Sequence, residues 1–276
     1  EAPIAFRINP DIDAHTHEKI TTGRAANKFG VPRSRALDIY AWAAALPGIR
    51  VQGIATHIGS QLTQLEPFEQ AFRCHAELAT ELRIQGHDIS VLDIGGGLGI
   101  DYGDGQAAPP DLTDYAALAR KILEPLGCRI LVEPGRSLVA ESGILVARVM
   151  YLKEGEGTRF LIIDAGMNDL LRPSLYDAYH GISAVTVRDG GSQPYDVVGP
   201  VCETGDTFAR DRVLPPLRAG DLVAIRNAGA YGAVMSSLYN TRPLVPEVLV
   251  EGDKFRIIRE RLDAAAIIGL DAQAGA

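Results

Sequence analysis

The first half of the chain alternates between short apolar runs and longer segments in which apolar residues recur at helical spacing. The short runs predict strands over Ile4–Asn9, Val51–Ile58, Val91–Ile94 and Ile130–Val132. The longer segments predict helices over Arg35–Leu46, Glu66–Gln85 and Thr113–Leu126, the last with Thr113 as its candidate N-cap. Because strands alternate with helices, we expect parallel βα units.

The second half has a different pattern. After Gly143, short β-rich runs are separated by turn residues, and little helix is evident. The predicted strands are Ile144–Leu152, Arg159–Asp164, Ala184–Val187, Asp196–Val198, Asp221–Arg226, Glu247–Val250 and Phe255–Ile258. We therefore expect a βα domain over residues 1–143 and an antiparallel β domain over residues 144–276.

The length of the βα part limits its architecture. A complete (β/α)8 barrel needs about 250 residues, whereas only four strands are predicted before residue 143. A half barrel would leave open sheet edges. Either this part is a smaller open sheet, or it is the C-terminal half of a TIM-type barrel whose first half is absent from this chain. A first residue other than Met favours the second interpretation.

Composition excludes several classes of protein. The chain has 276 residues, of which 46% are hydrophobic and 22% charged, as in an ordinary globular protein. No apolar run approaches the roughly 18 residues of a membrane span. The net charge of −8 and the lack of a basic block argue against nucleic acid as a partner. Three separated cysteines suit a cytoplasmic protein and exclude a disulfide scaffold or a cysteine zinc site.

Unusual residues follow the predicted strands of the first half. The glycine-rich segment from Gly95 to Gly99, which includes Gly96 and Gly97, would let backbone N–H groups approach an anion such as phosphate. It matches neither a P-loop nor a dinucleotide fingerprint, and a tight βα turn is the alternative. His57 could stack on a flat ligand, with Ser60 binding phosphate, or be an ordinary core histidine.

Glu133 precedes Pro134, Gly135 and Arg136 at the end of another predicted strand. A carboxylate there could bind a protonated ring nitrogen and keep the ring cationic, which would make it an electron sink. Arg136 could bind a phosphate or a carboxylate. A Glu–Arg pair across a turn is the alternative.

The second half contributes its own candidates. Arg172 and Tyr176 suit a substrate carboxylate, although a surface loop is the alternative. Cys202 stands beside Glu203 and close to Asp206, so its thiol is better suited to act as a protonated acid than as a thiolate nucleophile. An inert cysteine is the commoner case. Tyr231 could reach a phosphate or substrate, or belong to an ordinary turn.

Six motifs occur in a distinctive order. They are His-Ile-Gly-Ser-Gln, Asp-Ile-Gly-Gly-Gly-Leu-Gly, Glu-Pro-Gly-Arg, Arg-Pro-Ser-Leu-Tyr, Cys-Glu-Thr-Gly-Asp and Ala-Gly-Ala-Tyr-Gly. In this order they resemble the diaminopimelate decarboxylase family, pyridoxal-phosphate enzymes of the alanine-racemase-like fold type. The segments Arg7–Pro10, Lys19–Gly23 and Asn27–Gly30 are also similar to this family, so the resemblance extends over nearly the whole chain.

The resemblance implies a pyridoxal 5'-phosphate-binding (β/α)8 barrel followed by a β domain, in a homodimer with shared active sites. It implies decarboxylation of meso-2,6-diaminopimelate to L-lysine and CO2, the last step of lysine biosynthesis. For the cofactor, the resemblance implies ring stacking by His57, pairing of Glu133 with the ring nitrogen, and phosphate binding by Ser60, Gly96, Gly97 and the Gly135–Arg136 backbone. For the substrate, it implies carboxylate binding by Arg136, Arg172 and Tyr176, and contact of Tyr231 with both cofactor and substrate. It also implies that Cys202, as proton donor, and Glu203, which holds the distal amino group, enter the partner's site.

One feature of the family is missing. Its Schiff-base lysine lies in a Tyr-Ala-x-Lys motif, and none of the five lysines here has that context. We therefore expect an N-terminally truncated chain that binds cofactor weakly and lacks normal turnover. Three alternatives are a related decarboxylase of another amino acid, an inactive homologue that keeps the fold, and a pyridoxal-phosphate carrier.

Overall fold

The computed structural model describes residues 1–12 and 28–273, which form two compact units. Unit 1 contains residues 1–101 and 105–138, and unit 2 contains residues 102–104 and 139–276. The predicted domain division at residue 143 stays a prediction. The family-like segment Lys19–Gly23 and residue Asn27 lie outside the described residues.

Unit 1 is built on a parallel sheet. The strands are β1 (Ala2–Asn9), β2 (Val31–Pro32), β3 (Ile49–Ala55), β4 (Val91–Asp93) and β5 (Arg129–Leu131), in the spatial order β2-β1-β3-β4-β5. All four pairings are parallel, as the alternation of strands and helices predicted. Among the strands described in unit 1, β2 is the one that the pattern missed, because two residues are too few to show a period.

Helices follow the strands of unit 1. They are α1 (Ala36–Ala44), α2 (Glu66–Ile84), α3 (Leu112–Leu123) and α4 (Arg136–Val139). The predicted spans of α1 and α2 are confirmed to within two residues. The predicted N-cap of α3 is wrong. The Asp111 carboxylate accepts a hydrogen bond from the Thr113 N–H at 2.6 Å, so Asp111 caps the helix, two residues before the predicted position.

The burial pattern of α2, the longest of the described helices, explains why the sequence predicted this helix. Along α2, buried residues recur every three or four positions and include Phe68, Phe72 and Leu78. Acidic residues in its first turn and Arg83 in its last turn suit the helix dipole. The Arg83 guanidinium also donates to the carbonyl oxygens of Ile89 and Leu126, which ties the end of α2 to the loops before β4 and β5.

Unit 2 is dominated by β-structure. Its strands are β6 (Leu145–Glu154), β7 (Arg159–Ile163), β8 (Ile182–Ala184), β9 (Gln193–Val198), β10 (Thr207–Leu214), β11 (Leu222–Ile225), β12 (Glu247–Glu251) and β13 (Lys254–Arg259). Six form one sheet in the order β10-β9-β7-β6-β11-β8, and β12 pairs with β13. All pairings are antiparallel except β7 with β9. Strand β10 was not predicted, because its charged residues obscure the alternation.

Two short helices complete unit 2: α5 (Arg172–Tyr176) and α6 (Ala264–Gln273). The core lies against one face of the six-stranded sheet and includes Leu161, Tyr195, Val197 and Val223. The predicted fold class, parallel βα units followed by a β domain, is confirmed. Within the described part of the chain, no helix is both long enough and apolar enough to cross a membrane.

Candidate active site

The predicted site residues of unit 1 follow the carboxyl ends of three neighbouring parallel strands. His57 follows β3, the glycine-rich segment follows β4, and Glu133 follows β5. Backbone hydrogen bonds continue past the strands and hold the three loops together. The Ile94 N–H donates to the Leu131 carbonyl at 3.0 Å, and the Glu133 N–H donates to the Gly95 carbonyl at 2.8 Å. In α/β folds, ligands bind at this edge of the sheet.

Close backbone approach explains the glycines of this edge. Gly95 and Gly97 have positive φ angles of 68° and 104°. A Cβ atom at Gly96 would overlap the carbonyl oxygen of Glu133, and one at Gly97 would overlap the carbonyl oxygen of Gly59. The tight βα turn considered from the sequence is therefore present. The roles of Gly96 and Gly97 in phosphate binding stay predictions.

The His57 ring is held in one protonation state. Its Nδ1 accepts a hydrogen bond from the Gly96 N–H at 3.2 Å, so the proton of the neutral ring lies on Nε2. Burial lowers the pKa of His57, and the nearby Arg7 lowers it further, while Asp93 partly opposes both. A half-buried, uncharged imidazole is therefore presented at the end of β3.

Arg7 is a site residue to which the sequence assigned no role. Its guanidinium donates to the His57 carbonyl oxygen at 3.1 Å. Burial lowers the pKa of Arg7, whereas the nearby Glu133 carboxylate raises it. Arg7 thus contacts the loop that follows β3 and interacts electrostatically with the carboxylate that follows β5. A charged side chain near the end of an otherwise apolar strand was the available signal.

Ser60 and Arg136 come together although 76 residues separate them. The Arg136 guanidinium is only 5% exposed and donates to the Ser60 hydroxyl at 2.9 Å. Gly135 lies directly before Arg136, at the start of α4. The structure thus brings a hydroxyl and a buried cation to the same edge as His57 and Glu133. This combination suits an anionic group.

In unit 2, the helix with Arg172 and Tyr176 is linked to the loop with Cys202 and Glu203. The link is Ser174 of α5, whose hydroxyl donates to the Gly205 carbonyl at 2.6 Å. Arg172 is buried and Tyr176 half-buried, whereas Cys202 and Glu203 are exposed. Two predicted motifs therefore meet in space.

Two further residues organise this loop. The Tyr239 hydroxyl donates to the Glu203 carboxylate at 2.7 Å, which raises the pKa of Tyr239. The buried Asp206 carboxylate accepts from the Met167 N–H at 2.6 Å and the Val201 N–H at 2.7 Å. Burial raises the pKa of Asp206, and these two hydrogen bonds oppose the rise. No role was assigned to Tyr239 from the sequence, which indicated Asp206 only as a negative neighbour of Cys202.

Tyr231 is 41% exposed and has a φ of 57°, a conformation that non-glycine residues adopt at a cost. Such strain concentrates at functional sites.

The predicted site residues fall into two groups, each within one unit. Unit 1 holds His57, Ser60, Gly96, Gly97, Glu133, Gly135 and Arg136, and unit 2 holds Arg172, Tyr176, Cys202, Glu203 and Tyr231. Their roles stay predictions.

Comparison with known proteins identifies the class. Residues 1–140 match the family model described as the pyridoxal binding domain of pyridoxal-dependent decarboxylases. The diaminopimelate decarboxylase from Helicobacter pylori, solved in complex with L-lysine, is 45% identical, with a TM-score of 0.93 over 99% of this chain and 68% of that one. The chain therefore belongs to the pyridoxal-dependent decarboxylase family.

Relatives narrow the resemblance within that family. The chain is 51% identical to the diaminopimelate decarboxylase of Zymomonas mobilis and 50% identical to that of Pseudomonas aeruginosa, in each case over 95% of its own length. The resemblance expected from the six motifs is confirmed. The chain spans 62% of the length of each of these two curated relatives.

The residues of unit 1 fit the cofactor that the family implies. Pyridoxal phosphate combines a flat ring, a basic ring nitrogen and a phosphate. The imidazole of His57, the carboxylate of Glu133, and the Ser60 hydroxyl with the Arg136 guanidinium offer complementary chemistry to these three parts. The expectation about the Schiff-base lysine stays a prediction.

Proposed function

We propose that this chain supplies cofactor-binding and substrate-binding residues of an enzyme that converts meso-2,6-diaminopimelate to L-lysine and CO2. The observation that carries this proposal is the identity of about 50% to diaminopimelate decarboxylases over 95% of the chain. L-lysine in the Helicobacter pylori complex is the product of that reaction. Residues 1–143 would bind the cofactor, and residues 144–276 would contribute the substrate contacts.

On the cofactor side, His57 stacks on the ring and Glu133 pairs with the ring nitrogen. When bound, pyridoxal phosphate supplies a protonated ring that accepts the electron pair left by departing CO2. The lowered pKa of His57 keeps its imidazole neutral, so His57 adds no positive charge beside the protonated cofactor ring. Ser60, Arg136 and the backbone from Gly96 to Gly97 hold the phosphate.

On the substrate side, the residues of unit 2 match a molecule with a charged group at each end. Arg172 and Tyr176 bind a carboxylate, and Glu203 holds the distal ammonium group. The Tyr239 hydroxyl orients the Glu203 carboxylate through their hydrogen bond. The Cys202 Sγ–H donates a proton to the carbon that has lost CO2, which completes L-lysine.

The assembly that fits this site is a homodimer with shared active sites. Cys202 and Glu203 are exposed in one chain and would enter the site of its partner. All three cysteines are free, which supports a reducing, cytoplasmic location. Tyr231 would contact cofactor and substrate.

Substrate profiling of the holoenzyme tests the proposal. The protein encoded by the complete gene is loaded with pyridoxal phosphate, and CO2 and amine products are measured with meso-diaminopimelate, ornithine and arginine. We expect turnover of meso-diaminopimelate above all others. Glu203→Gln should lower kcat/KM by about tenfold or more, because an interaction with a charged group is lost. The exposed Glu156→Gln is the matched control.

Other outcomes would contradict the proposal. Turnover of ornithine or arginine without turnover of meso-diaminopimelate would identify a related decarboxylase of another amino acid. Cofactor binding without turnover of any of the three would identify an inactive homologue or a cofactor carrier.

A further inference from the structure

A buried cluster in unit 2 surrounds the guanidinium of Arg172. Arg172 is 5% exposed and His180 is 1% exposed, although both side chains are strongly polar. The Arg172 Nη1 lies 2.8 Å from the His180 Nε2. Burial of an arginine at this depth requires defined partners, because an unpaired charge is expensive to remove from water. His180 follows α5 and precedes β8, and neither the motifs nor the family resemblance singled it out.

The two contacts of His180 determine its tautomer. Arginine has no hydrogen-bond acceptor, so the Arg172 N–H must donate and the His180 Nε2 must accept. On the other side of the ring, His180 Nδ1 lies 2.8 Å from the Arg226 carbonyl oxygen, which can only accept. Nδ1 therefore carries the proton. His180 is a neutral imidazole that receives one N–H of Arg172 and is itself held by the backbone of Arg226.

Tyr102 is a second aromatic partner of the same guanidinium. The Arg172 Cζ lies 4.9 Å from the centroid of the Tyr102 ring, within the range of a cation–π contact. The Tyr102 ring also meets the His180 ring edge to face, with centroids 5.3 Å apart and an angle of 77° between the planes. The guanidinium therefore has a hydrogen-bond acceptor in His180 and a cation–π partner in Tyr102, and the two rings also contact each other.

The orientation of the guanidinium matters for recognition of a carboxylate. An arginine binds a carboxylate best through two parallel N–H donors in one plane, so the orientation of the guanidinium sets the strength of the interaction. His180 and Tyr102 are both uncharged, so neither contact neutralises the cation. They restrict its orientation while leaving its charge unchanged.

We propose that His180, supported by Tyr102, is a positioning residue that orients Arg172 toward the substrate carboxylate that L-lysine retains. This inference rests on the proposed function, in which Arg172 binds that carboxylate. The reaction removes only one of the two carboxylates of diaminopimelate. A residue that orients Arg172 therefore acts on recognition of the remaining carboxylate, and so on KM more than on kcat.

Two substitutions separate the two hydrogen bonds of His180. In His180→Gln, the side-chain amide reaches as far as Nε2 and can still accept from Arg172. In His180→Asn, the shorter amide reaches only as far as Nδ1, so it can donate to the Arg226 carbonyl but loses the acceptor for Arg172. Both variants place a neutral amide in the same buried position, which makes each the control for the other.

The experiment measures binding of L-lysine and of pyridoxal phosphate, and steady-state kinetics with meso-diaminopimelate, in holoenzyme from the complete gene. We expect His180→Asn to weaken L-lysine binding and raise KM by about tenfold, the effect of losing one hydrogen bond to a charged group. We expect kcat and cofactor affinity to stay within about threefold. His180→Gln should recover most of the lost L-lysine affinity.

Three results would overturn the inference: unchanged L-lysine binding in His180→Asn, no recovery in His180→Gln, or a parallel loss of L-lysine and cofactor binding in both variants. The last result would indicate a purely structural role. Failure of the proposed function is distinguishable, because the wild-type holoenzyme would then neither bind L-lysine nor turn over meso-diaminopimelate.

Discussion

Acid sensitivity of unit 1 should depend on one buried histidine of helix α2. His75 is 2% exposed, and neither of its ring nitrogens has a hydrogen-bond partner among the described residues. Burial lowers the pKa of His75 from 6.5 to about 4, because the charged ring would lose its hydration. We therefore predict that His75→Leu makes the folded chain less sensitive to acid.

The size and sign of the effect follow from proton linkage. Above pH 6.5 the ring is neutral in both the folded and the unfolded state, and stability does not depend on its titration. Between pH 6.5 and 4 only the unfolded state binds the proton, so stability falls as the pH falls. At about 1.4 kcal/mol per pKa unit, lowering the pH from 7.5 to 5.0 costs about 2 kcal/mol.

The assay is urea unfolding at pH 7.5 and at pH 5.0. Trp42, the single tryptophan, lies on α1 in the same unit as His75 and reports by fluorescence, while circular dichroism follows the helices. Coincident transitions justify a two-state treatment. The His75→Leu variant should lose about 2 kcal/mol less than wild type between the two pH values.

A neighbouring substitution controls for packing. Leu78→Met alters the same buried face of α2 without removing a titratable group, so it should change stability by equal amounts at both pH values. If His75→Leu shows the same loss between pH 7.5 and pH 5.0 as wild type, the buried ring does not resist protonation and the reasoning is wrong.

Two further substitutions test the backbone geometry of the site. Gly96→Ala should destabilise unit 1 by about 1–3 kcal/mol and weaken pyridoxal-phosphate binding, because the new methyl group overlaps the Glu133 carbonyl. Thermal unfolding measures the loss of stability, and cofactor titration measures the loss of binding. An unaltered melting temperature would contradict the overlap. Asp206→Ala should leave the part-buried N–H of Met167 and the buried N–H of Val201 without their acceptor, and so lower stability by about 2 kcal/mol or more in urea unfolding. Wild-type stability in this variant would show that the carboxylate is dispensable.

Secondary structure was predictable where local pattern and burial coincide. The apolar spacing of α2 is visible in the sequence because one face of that helix is buried along its whole length. Strand β10 was not visible, because Arg210, Asp211 and Arg212 interrupt its apolar residues. Its place at the edge of the sheet beside β9 leaves room for these charges, and sheet position is a tertiary property.

The sequence predicted which residues belong to the candidate site, but not which atoms their side chains contact. Glycines, His57 and Glu133 stood out because they follow apolar strands, and parallel strands bring such positions to one edge. The sequence offered Arg7 as a charged residue near a strand end, but its partner was not predictable. It depends on the parallel pairing of β1 with β3, which places its guanidinium at the His57 carbonyl.

The sequence by itself determined the family, the alternation of strands and helices in the first half, and the identity of the residues offered for chemistry. Periodicity and the order of motifs are visible in the amino-acid sequence before the chain folds. Only the tertiary structure decided the protonation of His57 and His180, the pairing of Ser60 with Arg136, and the orientation of Arg172. Each of these depends on hydrogen bonds between residues distant in sequence or on burial, and both arise only when the chain folds.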